Sequence, residues 1–209
     1  PGGPARTLVT MPVPDRAQTS DVTVVVVNWR QAELTARALT SLRSQTISHR
    51  VLLVDNASGD GSAESLSSSH PEVEVLELPE NVGFAGGMAA ALARVDTRFV
   101  ALLNNDAVAE PGWLEHSLAA LEDPTVAAAS AKLLLDDGAP ERRINNAGVV
   151  LLETGYGADR GLGEPDDERF AAPVEVFGFS GGAAVLRTLA VKAVGGFDPS
   201  LFMYYEDTD

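Results

Sequence analysis

With 209 residues, 45% of them apolar, the chain suits one α/β domain with a sizeable core. No run approaches the roughly 20 apolar residues of a membrane span, and the lack of cysteine excludes disulfides, thiolate catalysis and Cys-ligated metals. Thirty acidic residues against 15 Lys and Arg give a net charge of −15, a surface that repels nucleic acid and anionic lipid and leaves a bound phosphate in need of a cation or helix N-termini.

Residues 1–21 are rich in Pro and Gly, lack the charged-then-apolar order of a signal peptide, and read as a flexible leader. The β-branched run that follows, residues 22–28, predicts a buried first strand ending at Asn28-Trp29. Leu34, Ala38, Leu39 and Leu42 recur at helical spacing and predict an amphipathic helix over 33–44. Residues 51–54 read as strand two. They lead into Asp55-Asn56-Ala57-Ser58-Gly59-Asp60-Gly61-Ser62, a polar, Gly-rich loop suited to capping a helix that reaches toward Ser68. Val73, Val75 and Leu76 suggest a shorter third strand, and Asn81-Val82-Gly83-Phe84-Ala85-Gly86-Gly87 opens an Ala-rich helix.

The run Phe99-Val100-Ala101-Leu102-Leu103 is apolar throughout, as expected of a strand buried on both faces of a parallel sheet. It ends in Asn104-Asn105-Asp106, where open α/β sheets bind ligands. A carboxylate flanked by amide oxygens suits a hard divalent cation; an Asn/Asp turn that merely closes the strand is the plainer reading. Pro111, preceded by Glu110, marks a first helical position, and Leu114, Leu118 and Leu121 continue the helix. The order β-α-β-α-β-α-β predicts a parallel sheet with right-handed crossovers.

Beyond Pro124 the pattern changes. Residues 126–135 and 146–152 read as strands of a different, antiparallel set, and 174–179 is again strand-like. The Gly-, Asp- and Glu-rich stretch 153–173 has little periodicity and predicts a mobile loop. Ser180-Gly181-Gly182 implies close-packed backbone before a strand, and a short helix is expected over Thr188–Ala193. The sequence ends in Tyr204-Tyr205-Glu206-Asp207-Thr208-Asp209 with no helix to finish it, so the chain reads as a truncated piece of a longer protein.

Four polar loops thus fall at the ends of four parallel strands and together can line one crevice: Asn28-Trp29, Asp55-Asn56, 81–87 and 104–106. Taken singly, Asp55 is better explained as a helix cap, and it is the coincidence of four such loops that favours binding. Glu206 and Asp207 read either as a solvated acidic tail or, after Phe202, Tyr204 and Tyr205, as carboxylates placed for base chemistry. His49, His70 and His116 stand in unrelated contexts. Gly83, Gly86 and Gly87 do not make a dinucleotide fingerprint, and the first strand-to-helix turn has no glycine, which argues against an oxidoreductase.

In order along the chain, Val24–Asn28, the 54–62 loop, the 81–87 loop, Leu103-Asn104-Asn105-Asp106, Gly195-Gly196-Phe197-Asp198 and Tyr205-Glu206-Asp207-Thr208-Asp209 resemble the inverting, nucleotide-sugar-dependent glycosyltransferases of family 2. The variant is most similar to their rhamnosyltransferase-like branch, which builds bacterial cell-wall and surface polysaccharides. The resemblance implies a GT-A fold: a Rossmann-like, mostly parallel sheet flanked by helices, with a smaller antiparallel acceptor-side sheet. It divides residues 22–209 into a nucleotide-sugar-binding half, 22–124, and an incomplete acceptor-side half, 125–209.

By the same resemblance, Asp55 contacts the nucleobase, Asn28 helps hold the nucleoside, and Asn81 and Gly83 shape the wall beside the sugar nucleotide. Asn105 and Asp106 lie at the donor, and Asp106 holds Mg²⁺ or Mn²⁺ as the last acid of an Asp-x-Asp motif. Asn104 replaces the first Asp, a neutral and weaker ligand. Asp207 matches the catalytic base, while Gly181, Gly182 and Glu206 lie on the acceptor side. The implied partners are a nucleotide-diphosphate sugar and a saccharide or lipid-linked saccharide acceptor, with no nucleic acid and a homo-oligomer left open. The implied location is the cytoplasm, including a peripheral position at the inner face of the membrane. A nucleotidyltransferase, or a non-catalytic nucleotide or sugar binder, remains the alternative.

Overall fold

A computed structural model of the chain describes residues 20–203 and Asp207. The first half follows the sequence pattern closely: β1 (Val22–Asn28), α1 (Ala32–Leu42), β2 (Arg50–Asp55), α2 (Ser62–Ser69), β3 (Glu74–Glu77), α3 (Gly83–Arg94), β4 (Phe99–Leu103) and α4 (Trp113–Ala120). The second half comprises β5 (Ala128–Ser130), β6 (Leu133–Leu134), β7 (Ile144–Asn146), β8 (Val149–Leu151), β9 (Gly157–Asp159), β10 (Ala183–Arg187) and α5 (Thr188–Ala193).

The central sheet has the order β3-β2-β1-β4-β10-β5, with β1 to β4 parallel and β10 antiparallel to both of its neighbours. The chain starts in the middle, winds outward to β3, then jumps back across β1 to lay down β4. That reversal creates a topological switch point between β1 and β4, where neighbouring crossovers diverge and leave a crevice beyond the strand ends.

Period-two alternation explains how both faces are covered. Val22, Val24, Val26 and Leu53 pack on one side with Ala38, Leu39 and Leu42 of α1, Leu66 of α2 and Leu114 of α4. Val25, Leu52, Val54, Val100 and Leu102 pack on the other with Met88, Ala91 and Leu92 of α3 and Val191 of α5. Each such buried Val or Leu contributes about 1.5–3 kcal/mol of transfer free energy, so β1 and β4 form the stiff centre on which the loops sit. The outermost parallel strand, β3, carries exposed Glu74 and Glu77, charges that discourage pairing with another chain.

The second half departs from the sequence expectations in several places. Residues 126–135 give two short strands, β5 and β6, rather than one. Residues 146–152 are likewise divided between β7 and β8 at Gly148, whose φ of +102° bends the backbone and whose missing side chain admits Val176. The 174–179 segment is not a strand; Phe177 and Gly178 bond to Val149 at the side of β8 instead. The stretch 153–173 is built rather than loose: β9 pairs with β8, Asp167 caps a 3₁₀ turn over Glu168–Phe170, and Phe170 is buried beneath the Arg160 and Arg169 guanidiniums. One aromatic anchor and local hydrogen bonds hold it, and neither leaves an apolar period in the sequence. α4 starts at Trp113 rather than Pro111, because Gly112 has a left-handed φ of +85° that a right-handed helix cannot contain. α1 ends at Leu42, two residues early, in a tight turn through Arg43 and Ser44.

Candidate functional site at the strand ends

Asn28, at the end of β1, is fully buried and forms a polar hub. Its amide nitrogen points at Asp55 Oδ1 (2.9 Å), Ser62 Oγ (3.0 Å) and Ser58 Oγ (3.1 Å), while its Oδ1 accepts from the Thr35 hydroxyl at 2.8 Å. Asp55, at the end of β2, is itself 4% exposed and accepts from the Ser58 hydroxyl at 2.6 Å and the Ser58 N–H at 3.0 Å. Asp55 therefore does not cap α2, whose N-cap is Gly61. A buried carboxylate is tolerable because each of these donors replaces a lost water.

The hub also fixes the backbone. Ser58 Oγ accepts from the Arg30 N–H at 3.0 Å, and the Ser58 carbonyl accepts from Arg30 Nε at 3.0 Å. Arg30 and Ala57 each hold a φ of +56°, uncommon for residues with a Cβ. Such conformations persist where the surroundings over-determine them, as the hub does here. Trp29, 47% exposed, lies within 5.4 Å of the Arg30 guanidinium and presents an aromatic face beside the hub. Asp60 is held below the usual carboxylate range by the hydroxyl and N–H of Ser62.

A second clamp joins β2 to α3. Asn56 donates to Asn81 Oδ1 (2.9 Å) and the Gly83 carbonyl (3.0 Å), and its own Oδ1 accepts from Val82 N–H at 3.0 Å. Asn81 accepts from Gly83 N–H at 2.9 Å. The backbone of α3's first turn is closed from elsewhere: Ala85 N–H donates to the Phe202 carbonyl at 3.2 Å.

Across the switch point, Asn104, Asn105 and Asp106 form a hydrogen-bonded turn in which Ala107 N–H donates to the Asn104 carbonyl at 3.0 Å. Asn105 turns inward and donates to Thr35 Oγ1 at 3.2 Å; Asp106 is exposed. Among the described residues no cluster of three or more His, Cys, Asp or Glu could hold a metal. One exposed carboxylate beside amide oxygens still fits Mg²⁺ or Mn²⁺, which bind through one or two carboxylates when substrate phosphates complete the shell.

Asn104 N–H donates to the Gly182 carbonyl at 2.9 Å, carrying the turn onto the start of β10. There Gly181 N–H donates to Asp207 Oδ2 at 2.8 Å. A Cβ at Gly182 would lie 2.6 Å from Leu133 Cδ1, so that glycine makes room for β6; Gly181 faces Asp207 and Phe84. Glu206 lies outside the described residues. Asn28, Asp55, Asn81, Gly83, Asn104, Asn105, Asp106, Gly181, Gly182 and Asp207 are thus linked through strands that stand side by side.

Thr35 was not singled out in the sequence, and Asn56 and Ser58 entered only as members of the polar loop after β2, although each holds one of these links. For Thr35 a signal existed: it stands three, four and seven residues before Ala38, Leu39 and Leu42, a hydroxyl in the apolar stripe of α1.

Among the described residues no helix is long and apolar enough to cross a membrane. Over 187 residues the chain is 32% identical to the pre-mycofactocin glycosyltransferase of Mycobacterium tuberculosis, an alignment covering 87% of this chain and 36% of that protein. Over 179 residues it is 28% identical to the N-acetylglucosaminyl-diphospho-decaprenol L-rhamnosyltransferase of the same organism, covering 76% of this chain and 58% of the relative. The chain therefore spans about a third and about three-fifths of these relatives. The fold is similar to that of the mannosyltransferase PcManGT from Pyrobaculum calidifontis in complex with GDP-Man and Mn²⁺, with a TM-score of 0.60 at 22% identity over 89% of this chain and 50% of that one. Residues 23–194 match the glycosyl transferase family 2 profile, and the chain belongs to that family.

Proposed function

We propose that this chain is the catalytic domain of a nucleotide-sugar-dependent glycosyltransferase that transfers a sugar to a hydroxyl with inversion. The observation that carries the reading is the alignment of Asp55, Asp106 and Asp207 along one sheet edge, at the ends of β2 and β4 and against the start of β10, astride the switch point. Family membership supports the activity, and the nucleotide sugar and Mn²⁺ held by PcManGT support the donor class and the metal.

In this reading residues 22–124 hold the donor and 125–209 face the acceptor. Asn28 keeps Asp55 oriented toward the base, and the Asn56 clamp keeps Asn81 and Gly83 as the wall beside the sugar. Asp106, with Asn104, holds Mg²⁺ or Mn²⁺, which when bound neutralises charge on the departing diphosphate. The acceptor oxygen forms a bond to the anomeric carbon as the bond to the diphosphate breaks. Its proton passes to the Asp207 carboxylate, oriented by Gly181 N–H. The acceptor is a saccharide or a lipid-linked saccharide, the latter as the name of the rhamnosyltransferase relative suggests.

The test is thermal stability against UDP, dTDP and GDP, each with Mn²⁺ or with chelator. A ligand that binds only the folded state stabilises by mass action, about 2.7 kcal/mol at a hundred times its Kd. Metal-dependent stabilisation by one nucleotide, lost in Asp106→Ala, is the expected result. An equal melting temperature in all six mixtures would remove the donor site.

A further inference from the structure

The proposed donor site has two halves, the Asp55 side and the Asp106 side, on opposite flanks of the β1–β4 switch point. We propose that Thr35, on α1, is the positioning residue that holds these halves in register; the proposal rests on the donor-site reading above. Its hydroxyl donates to Asn28 Oδ1 at 2.8 Å and accepts from Asn105 Nδ2 at 3.2 Å. Asn28 continues the chain to Asp55 at 2.9 Å. One side chain thereby connects the strand-end loops of β2, β1 and β4.

Burial makes this link directional. Thr35 is 0% exposed and Asn28 is 0% exposed, so no bulk water substitutes for either partner. A hydroxyl that both donates and accepts transmits the orientation of the Asn28 amide to Asn105: turning one partner costs the other its bond. Asn105 is adjacent to Asp106, so the Thr35 bond limits how the carboxylate's turn can swing. Asp106 itself is exposed and takes no part in the hub, so its placement depends on its neighbours. The remaining anchors of the turn are backbone bonds at Asn104 and Ala107, which set its path but not the Asn105 side chain.

Three variants test this. Thr35→Val keeps the shape and removes the hydroxyl, and Thr35→Ser restores the hydroxyl. Thr188→Val removes another buried hydroxyl, one with no partner among the described residues. The first readout is amide hydrogen exchange of residues 104–108 in the ligand-free protein. The second is the affinity for Mn²⁺ in the presence of whichever of UDP, dTDP or GDP binds, alongside affinity for that nucleotide in chelator.

Thr35→Val is expected to speed exchange at 104–108 and to weaken Mn²⁺ binding roughly five- to tenfold, about the worth of one hydrogen bond. Nucleotide affinity in chelator stays within about twofold, and Thr35→Ser and Thr188→Val match wild type. Unchanged exchange at 104–108 in Thr35→Val overturns the proposal, as does a Thr35→Ser variant that behaves like Val. If wild type binds none of the nucleotides, the donor-site reading fails, while the exchange arm still decides whether Thr35 holds the turn. Should Thr35→Val not fold, Asn105→Leu breaks the same bond from its less buried end and is read by exchange at 106–108 alone, because Asn105 itself lies at the proposed donor site; unchanged exchange there overturns the proposal.

Discussion

A Cβ built on Gly83 would lie 2.1 Å from the carbonyl oxygen of Phe202, although the two residues are more than a hundred positions apart in sequence. Phe202 has a φ of +57° and follows a 3₁₀ turn over Pro199–Leu201 that packs on α3. Its carbonyl accepts from Ala85, so the chain is pinned to the first turn of α3 five residues before Asp207.

Replacing Gly83 by Ala forces out that carbonyl and also strains a left-handed φ of +74°. The expected cost is about 1–2 kcal/mol for the backbone plus about 1–3 kcal/mol for overpacking. Gly155→Ala, at φ +84° with open space around it, pays only the backbone part. Comparing the two in urea checks this. Equal losses would mean that the Phe202 contact does not constrain α3.

Asp207→Asn keeps the size and the capacity to accept from Gly181 N–H but removes the base. Turnover measured as nucleoside diphosphate release should fall by about 10²–10⁴, with nucleotide affinity within about twofold of wild type. Wild-type turnover in this variant would strike Asp207 from the mechanism.

Asn28→Asp places a second carboxylate 2.9 Å from Asp55 in a buried hub. Like charges that close cannot both ionise, so one carboxyl in the folded state titrates above its unfolded value of about 3.9. A raised folded pKa means stability that is present at low pH and is lost as pH rises. The deficit relative to wild type should therefore be small at pH 4 and reach roughly 3 kcal/mol at pH 7, measured by denaturant unfolding at both pH values. A deficit that is larger at pH 4 would mean that the hub admits the second charge.

Asp198 is held below the ordinary value of 3.8 by the N–H and hydroxyl of Ser200, which it caps at the start of the Pro199–Leu201 turn. Because its folded pKa is depressed, its contribution is present above 3.8 and disappears as pH falls below that value. The melting-temperature gap between wild type and Asp198→Asn should narrow on going from pH 5 to pH 3. A constant gap would show that the carboxylate's charge is irrelevant to the turn.

The sequence alone determined the first half of the fold. The valine run of β1, the apolar run of β4 and the stripe on α1 each bury a face through their own periodicity, and period fixes element type when one partner surface is the core. It also determined which loops meet, because parallel strands with intervening helices must bring their carboxyl ends to one edge. Tertiary structure decided what period cannot encode. The 153–173 segment takes its order from Phe170 and from hydrogen bonds between residues far from any repeat. The split at Gly148 depends on Val176 filling the space above it. The bonds inside the hub were equally invisible: Asn28 and Asp55 read as donor-site residues at two separate strand ends and Ser58 as part of a polar capping loop, and only their convergence within hydrogen-bond distance makes them a unit. Local sequence sets which residues reach the edge of the sheet, but orientation there is settled by long-range hydrogen bonds, whose partners are distant in the chain and adjacent only once the sheet has formed.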